Sequence, residues 1–377
     1  MTYDIVYERC PWHTRAALLN ERGELVALRY DDMNHQFIGG MVILGRVRKV
    51  VESLNAAFVD IGDVVDGFLP FKKVPKELGK ITEGMEIMVR IVRSHTEEKG
   101  ALLDGYVIHE RPEGKVDIPC VVEEAPVAMS RILQAAGLHP VRVWIVDDRT
   151  RGDVIDYVPE SKIFQLDKHE DVDLLETLDN GLEKLQHDTF SIAGGARLTI
   201  EKTKALTSID IDSASYQAGG YEETALAVNM AAAEEVARLC RLLNIGGNII
   251  IDFITTKSKK DRQAVKDCLV KAFEGNDLRH VDVLNMSPFG LMEINREKVG
   301  IDLIDELNQP MHVAGEILLK MWRAKPGSHA FSVTASPEVA ALLKGFLTTA
   351  NALAYLGVQV DIKDNLTLHT QEYQLMG

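Results

Sequence analysis

The stretch from Ala205 to Ile254 limits what this chain can become more than any other. It reads ALTSIDIDSA, a Gly-Gly turn, a long helical pattern, then GGNIIIDFI. Each end is a short β-type run in which aspartate interrupts aliphatic residues, Asp210 and Asp212 in the first and Asp252 in the second. A carboxylate inside an apolar strand is costly unless something pairs with it. Strand side chains alternate, so Asp210 and Asp212 share a face, and Asp252 joins them if the two runs lie side by side. Between the runs, Leu226, Met230, Ala233 and Ala237, flanked by Val236 and Cys240, recur at spacings of three and four. That spacing predicts an amphipathic helix from Glu222 to Leu242, preceded by a loop at Tyr216 to Gly220 and ended by Gly246-Gly247. A strand, helix, strand unit tends to place its strands parallel and adjacent. Carboxylates crowded at one strand end repel each other, and a divalent cation with oxygen ligands, most simply magnesium, eases that repulsion. The plainer alternative is that these acids cap turns at strand ends.

A chain of 377 residues has room for two to four domains and a sizeable core. With 46% hydrophobic and 26% charged residues it reads as globular rather than disordered. No apolar run is long enough to cross a bilayer, and MTYDIVYERC lacks a signal peptide's basic and apolar regions, so a cytoplasmic protein is expected. Cys10, Cys120, Cys240 and Cys268 are widely separated and form no CxxC, which argues against disulfides and against zinc held by cysteines. A net charge of −15 disfavours polyanions in bulk. Local basic surface can still bind phosphate, and three clusters offer it: Arg46, Arg48 and Lys49; Lys72, Lys73, Lys76 and Lys80; and Lys257, Lys259, Lys260 and Arg262. Each taken alone is a solvated face more often than a ligand site.

Residues 3 to 9 and 14 to 30 read as strands, with a hairpin turn at Asn20 to Gly23, and are too few to fold without a later partner. From Gly40, short alternating strands separated by SLN and IGD predict a small closed barrel, completed by Glu86 to Ser94 and the segment after Lys99. In an oligonucleotide-binding barrel, aromatic rings stack on bases while lysines track the backbone, and Phe58, Phe68, Lys49 and Lys99 occupy suitable places. A barrel phenylalanine is more often part of the core than a stacking platform. Helices are expected at Ala128 to Ala136, Leu174 to Leu185 and Asp261 to Phe273, and strands at Val141 to Asp147 and Val281 to Met286. Asn308-Gln309-Pro310 reads as a linker to a small α+β domain. Its expected helices are Val313 to Arg323 and Pro337 to Leu356, and its expected strands Ala330 to Val333, Val358 to Ile362 and Leu366 to His369.

The strings AAFVDIGDVVDGFLP, EKGALL, ALTSIDIDSA, YEETALAVNMAAAEEVARLCRLLNIGG, IIIDFI and SPFGLMEINRE, in that order between Gly40 and Lys298, together resemble the ribonuclease E/G family. The resemblance implies an α+β, multidomain protein. An OB-fold barrel (36–105) would be inserted in an RNase H-like subdomain (1–35 and 106–188), followed by a DNase I-like catalytic subdomain (189–307) and the small C-terminal domain (308–377). It further implies a magnesium-dependent endoribonuclease acting on single-stranded RNA and leaving a 5′-phosphate and a 3′-hydroxyl, with manganese as a possible substitute. Asp210 and Asp252 would be the catalytic metal ligands, with Asp212 in support. Phe58 and Phe68 would form the base pocket beside the scissile phosphate, with Lys99 and Lys49 as further RNA contacts.

The chain also departs from that pattern. The place of the family's Cys-Pro-x-Cys zinc-link holds IDELNQPMH, so no zinc and no zinc-linked dimer is expected, although apolar faces of the C-terminal domain could serve assembly. Gly105 to Pro126 is too short for the family's 5′-monophosphate sensor. Asp212 stands for a usual asparagine, Pro288 for a basic residue and Thr255 for an acid. These departures keep a second reading open, an RNA-binding or ribosome-associated protein with the same fold and no hydrolysis.

Overall fold

The computed structural model describes residues 2–31, 39–95, 99–107, 117–166, 172–185, 187–203, 205–214, 219–274, 279–298, 302–324, 330–348 and 359–376. Two compact units divide the chain: Asp31–Ser130, and a unit built from Met1–Tyr30, Arg131–Lys298 and Asp302–Gly377. The chain opens with β1 (Tyr3–Cys10), β2 (His13–Leu19) and β3 (Leu25–Tyr30), antiparallel neighbours as their turn sequences require. At the expected hairpin turn, Asn20 Oδ1 accepts from the backbone N–H groups of Arg22 (2.9 Å) and Glu24 (3.0 Å).

Within Asp31–Ser130, β4 (Val42–Val51), β5 (Ala56–Asp60), β6 (Gly67–Pro70), β7 (Glu86–Arg93) and β8 (Leu102–Gly105) run in the order β5-β6-β8-β7-β4. Because β4 also pairs with β5, the five strands close into a barrel, and β9 (Cys120–Glu123) adds to β4. Alternation sends Ile43, Val59, Leu69, Val89, Ile91 and Leu103 inward to fill it. The closed barrel expected from the short strands after Gly40 is therefore present.

After α1 (Ala128–Ala136), within which the division between units falls, the larger unit continues with β10 (Val141–Ile145), α2 (Arg151–Ile155) and β11 (Ile163–Gln165). β10 lies parallel to β1, giving a five-stranded sheet in the order β11-β10-β1-β2-β3, the later partner that the opening strands needed. After α3 (Val172–Lys184) come β12 (Thr189–Ser191), β13 (Arg197–Lys202), β14 (Thr207–Asp212), α4 (Tyr221–Leu242), β15 (Gly247–Asp252), α5 (Lys259–Glu274), β16 (Val281–Val283) and β17 (Leu291–Arg296). They build a six-stranded sheet ordered β12-β13-β14-β15-β17-β16. Its inward residues Ile209, Ile211, Ile249, Ile251 and Met292 meet Val228, Ala232 and Val236 of α4 in one continuous core. Full burial of each such aliphatic side chain contributes about 1.5–3 kcal/mol.

The rest of the chain forms α6 (Leu303–Leu307), α7 (Pro310–Arg323), β18 (Ala330–Ala335), α8 (Pro337–Leu347), β19 (Gln359–Asp364) and β20 (Tyr373–Met376), whose strands pair as β19-β18-β20. Asn308-Gln309-Pro310 is a helix start rather than a linker: Gln309 caps α7 and Pro310 supplies its first turn, where a missing N–H costs nothing. Leu366 to His369 is not a strand. Asn365 Oδ1 accepts from the Thr367 N–H (3.0 Å) and hydroxyl (2.8 Å), a local turn that outcompetes the ladder, and the strand comes later as β20. The end of the helix expected up to Leu356, the boundary expected at residue 35 and most of the Tyr216 to Gly220 loop lie outside the described residues. Among the described residues, no helix is long and apolar enough to cross a membrane.

Candidate functional site

Asp210 and Asp252 come together because β14 and β15 are parallel neighbours in a register that makes them direct partners. Neighbouring strands lie about 4.8 Å apart, so two carboxylates in one row leave little room between their charges. In β14 the pattern Thr207 to Asp212 alternates buried and outward residues, with Ile209 and Ile211 inside and Asp210 and Asp212 exposed. Asp252 ends β15 and is exposed as well. Among the described residues, neither the Asp210 nor the Asp252 carboxylate makes a hydrogen bond or an ion pair. Partial burial, followed by the nearby Asp210 carboxylate, raises the pKa of Asp252 above the ordinary aspartate value. An exposed, unneutralised acid pair of this kind suits a hard divalent cation.

Asp212 plays a different part. It shares the face of Asp210, but its Oδ1 accepts from the Ala214 N–H (2.8 Å), turning the chain where Ala214 takes a positive φ of 47°. Asp210, Asp212 and Asp252 do not gather their oxygens into a close three-residue set, whereas His13, His312 and Glu316 elsewhere in the unit do, within 4.8 Å.

The strand end that carries Asp252 is held by groups that sequence patterning missed. Asn229, buried in α4, accepts from the Ile254 N–H (2.9 Å) and donates to the Ile254 carbonyl (2.8 Å). An asparagine on an otherwise apolar helix face was its one signal. Gly290, at φ +96°, brings its carbonyl to the Phe253 N–H (3.1 Å), and a Cβ there would collide with the Phe253 carbonyl. The same turn leaves the Phe289 ring 79% exposed next to the carboxylate strand, an aromatic surface with no core role. Glu222, in the first turn of α4, accepts from the Thr256 hydroxyl (2.6 Å) and so fixes the segment leading to Lys257. Of the basic cluster after β15, Lys257, Lys259 and Lys260 are exposed, whereas Arg262 donates to the Thr256 carbonyl (2.6 Å).

In the barrel, Phe58 and Phe68 are direct cross-strand partners on β5 and β6. Their ring centroids are 5.7 Å apart with the planes tilted by 60°, and both side chains are half-buried, leaving ring surface at the barrel wall. Lys49 is exposed on β4 opposite Phe58, and Lys99 is exposed just before β8. Arg46 and Arg48 are already occupied by Glu86 (3.3 Å) and Asp60, which leaves Lys49 as that cluster's better phosphate donor. The barrel thus has a part-exposed aromatic pair with Lys49 opposite Phe58, a combination common in proteins that bind single-stranded nucleic acid.

The sequence is similar to those of known ribonucleases. A family model described as "Ribonuclease E/G family" matches residues 104–299, which include the acid pair and the strands that hold it. Ribonuclease E of Haemophilus influenzae is 26% identical over 384 residues, covering 77% of this chain and 41% of that protein. Ribonuclease E of Escherichia coli is 25% identical, covering 77% of this chain and 36% of its own length. Ribonuclease G of Salmonella typhimurium is 28% identical over 243 residues, covering 59% and 49%. The chain therefore spans about two fifths of the length of the first two relatives. Since the matched segment is more than half of the sequence and carries the paired aspartates, the chain belongs to the ribonuclease E/G family.

Proposed function

We propose that this chain is a magnesium-dependent endoribonuclease that cleaves single-stranded RNA in the cytoplasm and leaves a 5′-phosphate and a 3′-hydroxyl. The observation that carries the reading is the in-register pair of Asp210 and Asp252, both exposed. Asp210 and Asp252 would hold magnesium, or manganese in its place, and the bound ion supplies Lewis acidity that lowers the pKa of water and polarises a phosphate. Asp212, fixed on the Ala214 N–H, keeps its second oxygen for ordering a water. Phe58 and Phe68 grip a base by stacking, while Lys49 and Lys99 meet the backbone phosphates. Lys257, Lys259 and Lys260 extend the attraction for phosphate beside the acid pair.

On this reading the five-stranded sheet with its flanking helices is the RNase H-like part, the six-stranded sheet is the DNase I-like catalytic part, and any assembly uses the C-terminal domain without a cysteine zinc-link. A second reading, RNA binding without hydrolysis, draws on Asp212, whose tie to Ala214 leaves the site with a pair rather than a triad of close acids. A fluorescent single-stranded oligonucleotide incubated with magnesium or with chelator separates the two. Cutting that chelator stops, and that Asp252→Asn loses while still shifting RNA in a gel, supports the enzyme. A mobility shift without cutting selects the binder, and full cleavage by Asp252→Asn removes the mechanism.

A further inference from the structure

A second cluster of ligand-type side chains lies where α7 packs on β2, apart from the acid pair. His13 comes from β2, and His312 and Glu316 are one helical turn apart on α7. His13 Nε2 is 3.1 Å from Glu316 Oε1, and His312 Nε2 is 3.9 Å from the same oxygen. Donor atoms around a tetrahedral zinc ion at about 2.0–2.2 Å stand roughly 3.3–3.6 Å apart, a separation these two distances bracket.

The His312 side chain is only 7% exposed, and its Nε2 is buried without a hydrogen-bond partner. A buried ring nitrogen without a partner is costly to keep, so its place beside a carboxylate calls for an occupant.

A network of ion pairs borders the cluster. Glu8, Asp179 and Glu316 are acids, and Arg15 and Arg323 are the cations that bridge them. Arg15 is itself fully buried between Glu8 and Glu316, so the Glu316 carboxylate is held in place beside the two imidazoles. Arg15 Nη1 lies closer to Glu316 Oε2 (3.0 Å) than to Oε1 (3.3 Å), so Oε1 is the oxygen turned to the two histidines. The Tyr30 ring packs against both imidazoles, with centroids 5.1 and 4.2 Å away, and closes the site. Gly315 permits the close approach, since a Cβ there would stand 2.6 Å from His13 Nδ1.

We propose that His13, His312 and Glu316 form a structural site for a divalent transition metal, zinc by preference, that fastens α7 onto β2. Two imidazoles and one carboxylate are a borderline-soft set that suits zinc over magnesium. The expected lack of zinc rested on cysteines, and this site uses none.

The test uses the full chain without a histidine tag, carrying Asp210→Asn and Asp252→Asn so that metal at the acid pair does not count. After chelator treatment, zinc is titrated against a chromophoric competitor and cobalt is followed by visible absorption. One equivalent of zinc should bind, cobalt should give the intense band of a four- or five-coordinate site, and zinc should raise Tm. His312→Gln should weaken zinc at least about tenfold and abolish the cobalt band, since one of only three protein ligands is lost. Absence of uptake, or uptake unchanged in His312→Gln, overturns the site and leaves His13 and Glu316 as a plain hydrogen-bonded pair. If His312→Gln does not fold, the titration of the unmutated cluster decides alone: a cobalt band with a zinc-induced rise in Tm supports the site, and the lack of both rejects it.

Discussion

The Asn229 carboxamide and the Ile254 backbone satisfy each other twice, with one hydrogen bond in each direction (2.9 and 2.8 Å). Ile254 is two residues beyond Asp252, so a side chain in the middle of α4 fixes where the acid-bearing strand ends. Asn229→Leu keeps the branched shape with added bulk but leaves a backbone N–H and a carbonyl unpaired in a part-buried setting. Each unsatisfied group costs about 1–3 kcal/mol, so the variant should lose roughly 2–4 kcal/mol once relaxation is allowed for. Urea unfolding measures the loss, and an unchanged midpoint would show that the clamp does not matter.

Gly290 constrains the same strand end from the opposite side. Its φ of +96° and the closeness of the Phe253 carbonyl leave no space for a Cβ. Gly290→Ala should therefore destabilise the chain by about 1–3 kcal/mol and shift Asp252. Magnesium-dependent cleavage should fall more than binding to the barrel, because the barrel does not contain this turn. Parallel cleavage and gel-shift measurements check it, and equal losses in both would assign the effect to global unfolding.

What the sequence disclosed and what it concealed have physical reasons. Asp210, Asp212 and Asp252 were legible because strand alternation puts every second residue outside, and a charge among isoleucines marks that face. The helix between them was legible by period but not by rotation. Ala225, Val228 and Ala232 are its buried face along with Ala233, Val236 and Ala237, whereas Leu226 and Met230 are half-exposed at its flank. Small residues let α4 lie close on the sheet, a packing gain that hydrophobicity alone does not rank. Asn229 was hidden because a polar residue is ordinarily assigned to the solvent side. Arg15 was hidden for the same reason, although Glu8 and Glu316 hold it fully buried. That Phe58 and Phe68 belong together was implied only by the family resemblance; their direct cross-strand register and half-exposed state come from the closed barrel.

Protonation of Asp252 should control metal binding. Its pKa is raised by burial and by Asp210, and only the ionised carboxylate is a ligand, so magnesium affinity should rise with pH through that raised pKa and level off above it. Asp210→Asn removes the repulsion, which should lower the Asp252 pKa and move its titration to more acidic pH even as metal binding is lost. Carboxyl-carbon NMR titration of both proteins reads the shift directly. A Asp252 pKa that does not fall in Asp210→Asn would mean the two carboxylates do not share a field.

Phe58 and Phe68 face each other at 5.7 Å with part of each ring outside the barrel core, whose interior is filled by Val59, Leu69 and Leu103. Replacing either ring with alanine should spare the fold while removing stacking area. Base–aromatic stacking contributes about 1–3 kcal/mol, so each variant should bind a short single-stranded RNA roughly 5- to 150-fold more weakly. Lys49→Ala should act differently: it removes one phosphate contact, weakens all sequences alike and flattens the salt dependence of binding by roughly one counterion. Fluorescence anisotropy across a salt series distinguishes the two effects. Were Phe58→Ala to alter only the salt slope, the ring would be a wall of the barrel and the phosphate backbone alone would account for RNA binding.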